Sequence, residues 1–236
     1  MDWGSRAPFS VGWWAVVSDD HPLEDGRTLP RGALVRYREW YGASSANVGL
    51  KMTAEEVAAG ILTRSGQEAF AYTVCDPSMF AQSVGPSLAE RMMKAGLQGL
   101  KRGDNRRVAQ AGAIGGWDQM RARLRGDSET PMLFVFSTCR DFIRTVPVLQ
   151  HDPDRPEDVD TAGEDHVADE CRYACMSRPY IAQRQMKPKS DRVVLMADVF
   201  GQVRYVRAGD NDKEEVVSLK DVVWEHCRRK ERERMC

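Results

Sequence analysis

Glu164-Asp165-His166-Val167-Ala168-Asp169-Glu170-Cys171-Arg172-Tyr173-Ala174-Cys175-Met176 is the segment on which the reading of this chain turns. Side chains three and four residues apart share a helix face, so Asp165, His166 and Asp169 are expected on one side of one turn. Val167, Cys171 and Ala174 are then free to pack inward. Thr161, three residues before Glu164, completes the pattern of a capping box. Three groups able to bind a metal would converge there. The same composition also arises from helix electrostatics alone, because first turns favour carboxylates.

Upstream, Phe9 to Val17 is apolar and β-prone, and Ser18-Asp19-Asp20 with Pro22 breaks the run. Ala33 to Tyr41 alternates Leu34, Val35, Tyr37 and Trp40 with Arg36, Arg38 and Glu39, which predicts a second strand paired with the first around a polar loop over 18–32. Thr53 to Glu56 is another capping box, opening a helix with the stripe Val57, Ala58, Ile61 and Leu62. Glu68 to Cys75 reads as a buried strand ended by Asp76-Pro77, since proline disfavours helix in the residue before it. Asp76 then stands at a strand's C-terminal edge, where open α/β sheets place their chemistry. A simple Asp-Pro turn is the plainer alternative.

Ser87 to Glu90 predicts a capped short helix through Ala95, Leu97 to Leu100 a strand, and Asn105 to Leu124 a longer helix weakened at Gly112, Gly115 and Gly116. Met132 to Phe136 reads as a strand and Cys139 to Val146 as a helix. Residues 150–163, rich in Asp and Pro, form an exposed loop that delivers the chain to the opening segment. After Pro179 the composition changes. Lys187-Pro188-Lys189-Ser190 reads as a linker, Val193 to Met196 and Val203 to Val206 as a β-hairpin, and Ser218 to Asp221 as the start of a charged helix. The organisation expected is a domain over 1–180 and an appendage over 181–236.

The 236 residues suffice for one full domain with an appendage. Lys and Arg number 34 against 35 Asp and Glu, so net charge does not announce a nucleic-acid binder. Distribution is more informative: basic residues gather from Arg91 to Arg107, at Arg121 to Arg125 and at Arg228 to Arg234, as phosphate contacts or as solvated helix faces. The six cysteines show no CxxC pair, which suits reduced thiols, and no apolar run approaches a membrane span. A soluble, intracellular protein is the expectation.

The phrase Asp-His-x-x-Asp-x-x-Arg-Tyr, from Asp165 to Tyr173, resembles the last acidic motif of the nuclease domain of the large terminase subunit of tailed bacteriophages. Met1-Asp2-Trp3-Gly4 with the strand after it, and Val74-Cys75-Asp76-Pro77-Ser78, resemble the two earlier motifs in the same order, over residues 1–178. The resemblance implies a ribonuclease H-like α/β fold with a mixed central sheet flanked by helices. It implies an endonuclease that cuts double-stranded concatemeric DNA during genome packaging, with two Mg²⁺ or Mn²⁺ ions as cofactors.

By the same resemblance, Asp2 would bridge both ions, Asp76 would bind on one side, and Asp169 would complete the site with His166 beside it; Asp165 remains an alternative ligand. Hard carboxylate ligands select Mg²⁺ or Mn²⁺. Arg172 and Tyr173 are read as supporting groups, and Lys101, Arg102, Arg106 and Arg107 as DNA-holding residues. As the second residue, Asp2 is expected to fray. Implied partners are double-stranded DNA, an ATPase domain of the same subunit, the small terminase subunit and the portal protein, in the host cytoplasm and transiently at the procapsid portal. No GxxxxGK[ST] loop occurs, so the chain is expected to be the nuclease part alone. The rival readings are another ribonuclease H-like nuclease, such as a resolvase or transposase core, and a non-catalytic DNA- or portal-docking module.

Overall fold

The computed structural model describes residues 1–82, 85–126 and 130–181, together with the backbone of three strands further on. The chain divides into two compact units, Met1–Gln183 and Arg184–Cys236. In the first, β1 (Ser10–Val16) is followed by the short strands β2 (His21–Pro22) and β3 (Thr28–Leu29), then β4 (Leu34–Tyr41), β5 (Ala43–Ser45) and β6 (Val48–Gly49). Next come α1 (Ala54–Ser65), β7 (Thr73–Cys75), α2 (Leu88–Lys94), β8 (Leu100–Arg102), α3 (Gly116–Arg125), β9 (Leu133–Val135), α4 (Arg140–Thr145) and α5 (His166–Ser177).

β1 pairs antiparallel with β4, and β4 pairs parallel with β9, which makes the central sheet mixed. β7 pairs parallel with β8. The first two residues join the two groups: Asp2 exchanges backbone hydrogen bonds with Ser10, while the Met1 nitrogen donates to Val74 O at 2.7 Å and Asp76 N donates to Met1 O at 3.0 Å. Hydrogen bonds thus run continuously from β9 through β4, β1 and residues 1–2 to β7 and β8.

Side chains alternate between the faces of a strand. On β1, Val11 and Trp13 enter an apolar cluster with Val57, Ala58 and Ile61 of α1 and Met92 of α2. Trp14, beyond a register shift at Trp13/Trp14, packs on the other cluster, which holds Trp117 of α3, Phe142 of α4 and Val167, Cys171 and Cys175 of α5. Helices therefore cover both faces. The helix starts at Thr53 and Ser87 carry the capping boxes their sequences predict.

Several expectations are corrected. The predicted helix from Asn105 is confined to α3, because Ala111 and Gly112 adopt positive φ and Gly115 is the cap. The strand predicted from Glu68 begins only at Thr73; Glu68 to Ala71 are solvent-facing, with Glu68 held by Tyr37 and Arg38. The strand at Leu97 to Leu100 lies at Leu100–Arg102. Thr161 and Glu164 form no capping box: α5 starts after Asp165, and the Glu164 carboxylate is taken by Arg144 and Tyr41.

In the second unit, β10 (Val193–Ala197) and β11 (Val203–Arg207) form the expected antiparallel hairpin, to which β12 (Glu215–Val217) adds a third strand. The linker at 187–190 and the charged helix from Ser218 lie outside the described residues. Among the described residues, no helix is long and apolar enough to cross a membrane.

Candidate active site

Strand pairing puts Asp2 where it is. Directly opposed residues of an antiparallel pair share a face, and Asp2 opposes Ser10, which has the parity of Gly12 on the face covered by α5. Asp2 is therefore not frayed, contrary to expectation, because both its backbone groups are bonded and only 6% of the residue is exposed. Its Oδ2 lies 3.2 Å from His166 Nδ1. Burial lifts the Asp2 carboxyl to about 6, helped by the charges of Asp169 and Asp76 and opposed by the His166 hydrogen bond.

Asp76 follows β7 directly, one backbone hydrogen bond from Met1, so adjacent strands deliver Asp2 and Asp76 side by side. One carboxylate oxygen of Asp76 accepts from Ser78 N at 2.8 Å and caps the short turn Pro77–Phe80. The Tyr173 phenol is raised chiefly by burial, and the charges of Asp76, Asp2 and Asp169 raise it further, against the lowering pull of Arg172. Three acids widely separated in sequence thus act on one hydroxyl.

Asp165, His166 and Asp169 come from the start of α5, as their spacing predicts. Burial raises Asp165, with the charge of Asp169 adding to it. Burial disfavours the His166 cation, but the hydrogen bond and charge of Asp2 and the charges of Asp165 and Asp169 outweigh it, so His166 holds its proton more tightly than usual. Asp169 is engaged at both oxygens, by Arg107 Nη1 and Arg172 Nε, each at 2.9 Å. Arg172 is fully buried and, with the Tyr173 hydroxyl, also donates to Asn105 Oδ1.

Of the residues expected to hold DNA, Lys101 and Arg102 are exposed on β8, over the rings of Tyr72 and Phe80, and Arg106 pairs with Asp104. Arg107 is placed differently from the other three. Its guanidinium turns into the acid cluster, with Nε 2.8 Å from Asp158 Oδ1 and Nη2 3.7 Å from Asp165. Asp158, buried in the loop after α4, and Asn105 escaped the sequence reading, since nothing in their local patterns marks them. A cleft of about 920 Å³ lined by Trp13, Trp14, Ile61, Phe70 and Tyr72 includes none of these acids.

Among the described residues, no group of three or more His, Cys, Asp or Glu side chains could hold a metal ion. Asp2, Asp76, Asp165 and Asp169 are brought to one region, but two guanidiniums occupy Asp169. The donor chemistry nevertheless suits a hard divalent cation: oxygen ligands, and a carboxyl at Asp2 raised by burial first and by neighbouring acids after it. Ser10 Oγ, buried on the Asp2 face, is a polar atom without a protein partner there.

No protein-family model matches the sequence, and no curated protein matches it. Three solved structures of the large terminase from a thermophilic bacteriophage are similar to it. One has 16% identity and a TM-score of 0.52 over 75% of this chain and 38% of that one. The complex with ATP-gamma-S has 15% identity and a TM-score of 0.52 over 74% and 38%. The complex with ADP has 18% identity and a TM-score of 0.52 over 73% and 37%. The match spans under two-fifths of those terminases, and what it establishes is a shared α/β fold with a mixed central sheet flanked by helices.

Proposed function

We propose that this chain is the nuclease part of a phage large terminase subunit, a ribonuclease H-like endonuclease that cuts double-stranded concatemeric viral DNA during packaging with Mg²⁺ or Mn²⁺. The observation that carries the reading is the meeting of Asp2, Asp76 and Asp169, from two adjacent strands and a helix, in a fold shared with part of a large terminase. Asp2, Asp76, Asp165 and Asp169 are the candidate metal residues. Divalent ions held there would activate a water and stabilise the leaving oxygen of a phosphodiester.

The chain's own groups do the rest. Asp2 orients the His166 ring through Nδ1 and keeps a proton on it, beside the acids. Lys101 and Arg102 supply sequence-blind contacts to phosphates. Residues 181–236 serve as a docking appendage for the packaging machinery, whose ATPase domain, small subunit and portal are the partners proposed, in the host cytoplasm at the procapsid.

Nicking of supercoiled plasmid tests the reading. Cleavage is expected with Mn²⁺ or Mg²⁺ and is lost with EDTA or in Asp76→Ala. Cleavage that persists in excess chelator overturns it.

A further inference from the structure

β1 is the inner edge of the strands β9, β4 and β1, and β7 the inner edge of the pair β7 and β8. Among the described residues, Met1 and Asp2 alone bridge the two edges, and they do so as the last two residues of a middle strand would. Asp2 exchanges both backbone hydrogen bonds with Ser10, as in an antiparallel pair, while the Met1 nitrogen donates to Val74 O at 2.7 Å and Met1 O accepts from Asp76 N at 3.0 Å, as in a parallel one.

The two edges run on past these residues with no strand between them among the described residues. Phe9 and Val17 bond toward the β4 side, through Gly42 N to Phe9 O and Val17 N to Ala33 O, whereas Ser10 bonds toward Asp2. Backbone groups alternate in direction along an antiparallel strand, so Gly12, Trp14 and Val16 turn theirs away from β4. On β7, Thr73 N donates to Gly99 O and Cys75 O accepts from Gly103 N, which turns the Val74 N–H toward the same gap.

The cleft of about 920 Å³ occupies this gap. Gly12 to Val16 line one side and Tyr72 to Val74 the other, with Ile61 and Leu62 of α1 and Ala174 and Ser177 of α5. Those helices cover opposite faces, so the cleft lies within the layer of the sheet itself. Its apolar walls stand open: Val16, Leu62 and Phe70 are 43%, 40% and 44% exposed. A strand covered on both faces is apolar along its length. Counted in register from Asp2 opposite Ser10, the positions opposite Gly12 to Val16 take about five residues, roughly 17 Å at the usual rise.

We propose that the cleft is the docking site for an extended, apolar peptide strand of a partner polypeptide, parallel to β7 and antiparallel to β1, which joins the two groups of strands into one sheet. Main-chain hydrogen bonds to Gly12, Trp14 and Val74 hold it, and its side chains enter the α1 and α5 faces in turn. No acid of the candidate active site lines the cleft, so this docking stands apart from the nuclease reading.

Probe peptides test it on the full chain: an acetylated peptide of two lysines followed by five alternating valines and isoleucines, and the same peptide with its central residue replaced by proline, which cannot donate to a ladder. Calorimetry is expected to give the first a dissociation constant of about 10 μM or tighter, and amide hydrogen exchange is expected to slow at Gly12, Trp14 and Val74. The proline peptide is expected to bind about tenfold more weakly or worse. Phe70→Glu, at a side chain already exposed in the free protein, is expected to weaken the first peptide by a similar factor with an unchanged melting temperature. No binding at millimolar peptide, equal binding of the two peptides, full affinity in folded Phe70→Glu, or slowing confined to other amides overturns the proposal. So does self-association of the peptide-free chain that protects the same three amides, which would make a second copy the occupant.

Discussion

Asp169 and Glu170 are neighbours on α5, and each is bound by arginine, yet the two settings differ in kind. Glu170 and Arg36 have side chains only 1% exposed, and their ion pair is closed by the Trp14 indole, which donates to Glu170 Oε1 at 2.8 Å. The Arg36 guanidinium lies 5.4 Å from the ring centroids of both Trp14 and Phe142. One residue back, about 100° around the helix, Asp169 faces a cluster that is partly open and shared, in which Asp2 and Asp76 have no guanidinium partner among the described residues. Sealed charge serves the fold, because each of these ions is almost fully buried and matched by the other. Open and unbalanced charge has an affinity left over for something else.

The largest test of that contrast is to break the sealed pair. Glu170→Ala leaves buried Arg36 with Glu39, 3.5 Å away, in place of its closer partner, and urea melts should show a loss of about 3 kcal/mol. Gly12→Ala attacks the same pair by volume, since a Cβ there would lie 2.6 Å from Arg36 Nη1 and Glu170 Oε2. It should cost about 1–3 kcal/mol. Near-wild-type melts for both variants would erase the distinction between sealed and open charge.

The open cluster should respond unequally. Asp169→Asn weakens the charge partnership of fully buried Arg172 and should cost about 1–2 kcal/mol. Asp76→Asn removes a carboxylate that raises Asp2 and, among the described residues, pairs with no arginine, so metal-free stability should stay within about 0.5 kcal/mol of wild type or rise. Equal losses from the two variants would mean that Asp76 is as structural as Asp169.

The smallest effect concerns pH beside the sealed pair. Glu39, 3.5 Å from Arg36, is raised above its ordinary 4.5 by burial, against the lowering effect of the Asp141 and Phe142 amides and Arg36. The folded chain keeps this proton to a higher pH than the unfolded one. The contribution is complete below the unfolded value and is lost as pH rises through the folded one. Relative to Glu39→Gln, wild type should therefore lose melting temperature as pH rises above the ordinary 4.5 of a glutamate; a gain would reverse the sign of the burial effect.

Much of this was legible along the chain, and for local reasons. Capping boxes at Thr53 and Ser87, the alternation of β4, the proline after Asp76 and the spacing of Asp165, His166 and Asp169 act within a few residues, so the sequence displays them. The failures also have local causes: positive φ at Ala111 and Gly112 stopped a predicted helix, and Arg144 drew Glu164 away from its predicted cap.

By itself, then, the sequence determined most of the helices and strands, though not all their bounds, and which acids face together from one helix turn, because periodicity and capping are properties of neighbours. Only the tertiary structure decided what each charge meets. His166 reaches Asp2 across 164 residues, Glu170 reaches Arg36 across 134, and Asp158 takes Arg107 across 51. Whether a carboxylate is sealed, bridged by arginine or left for a ligand depends on burial and on partners set by packing, and no local pattern encodes either.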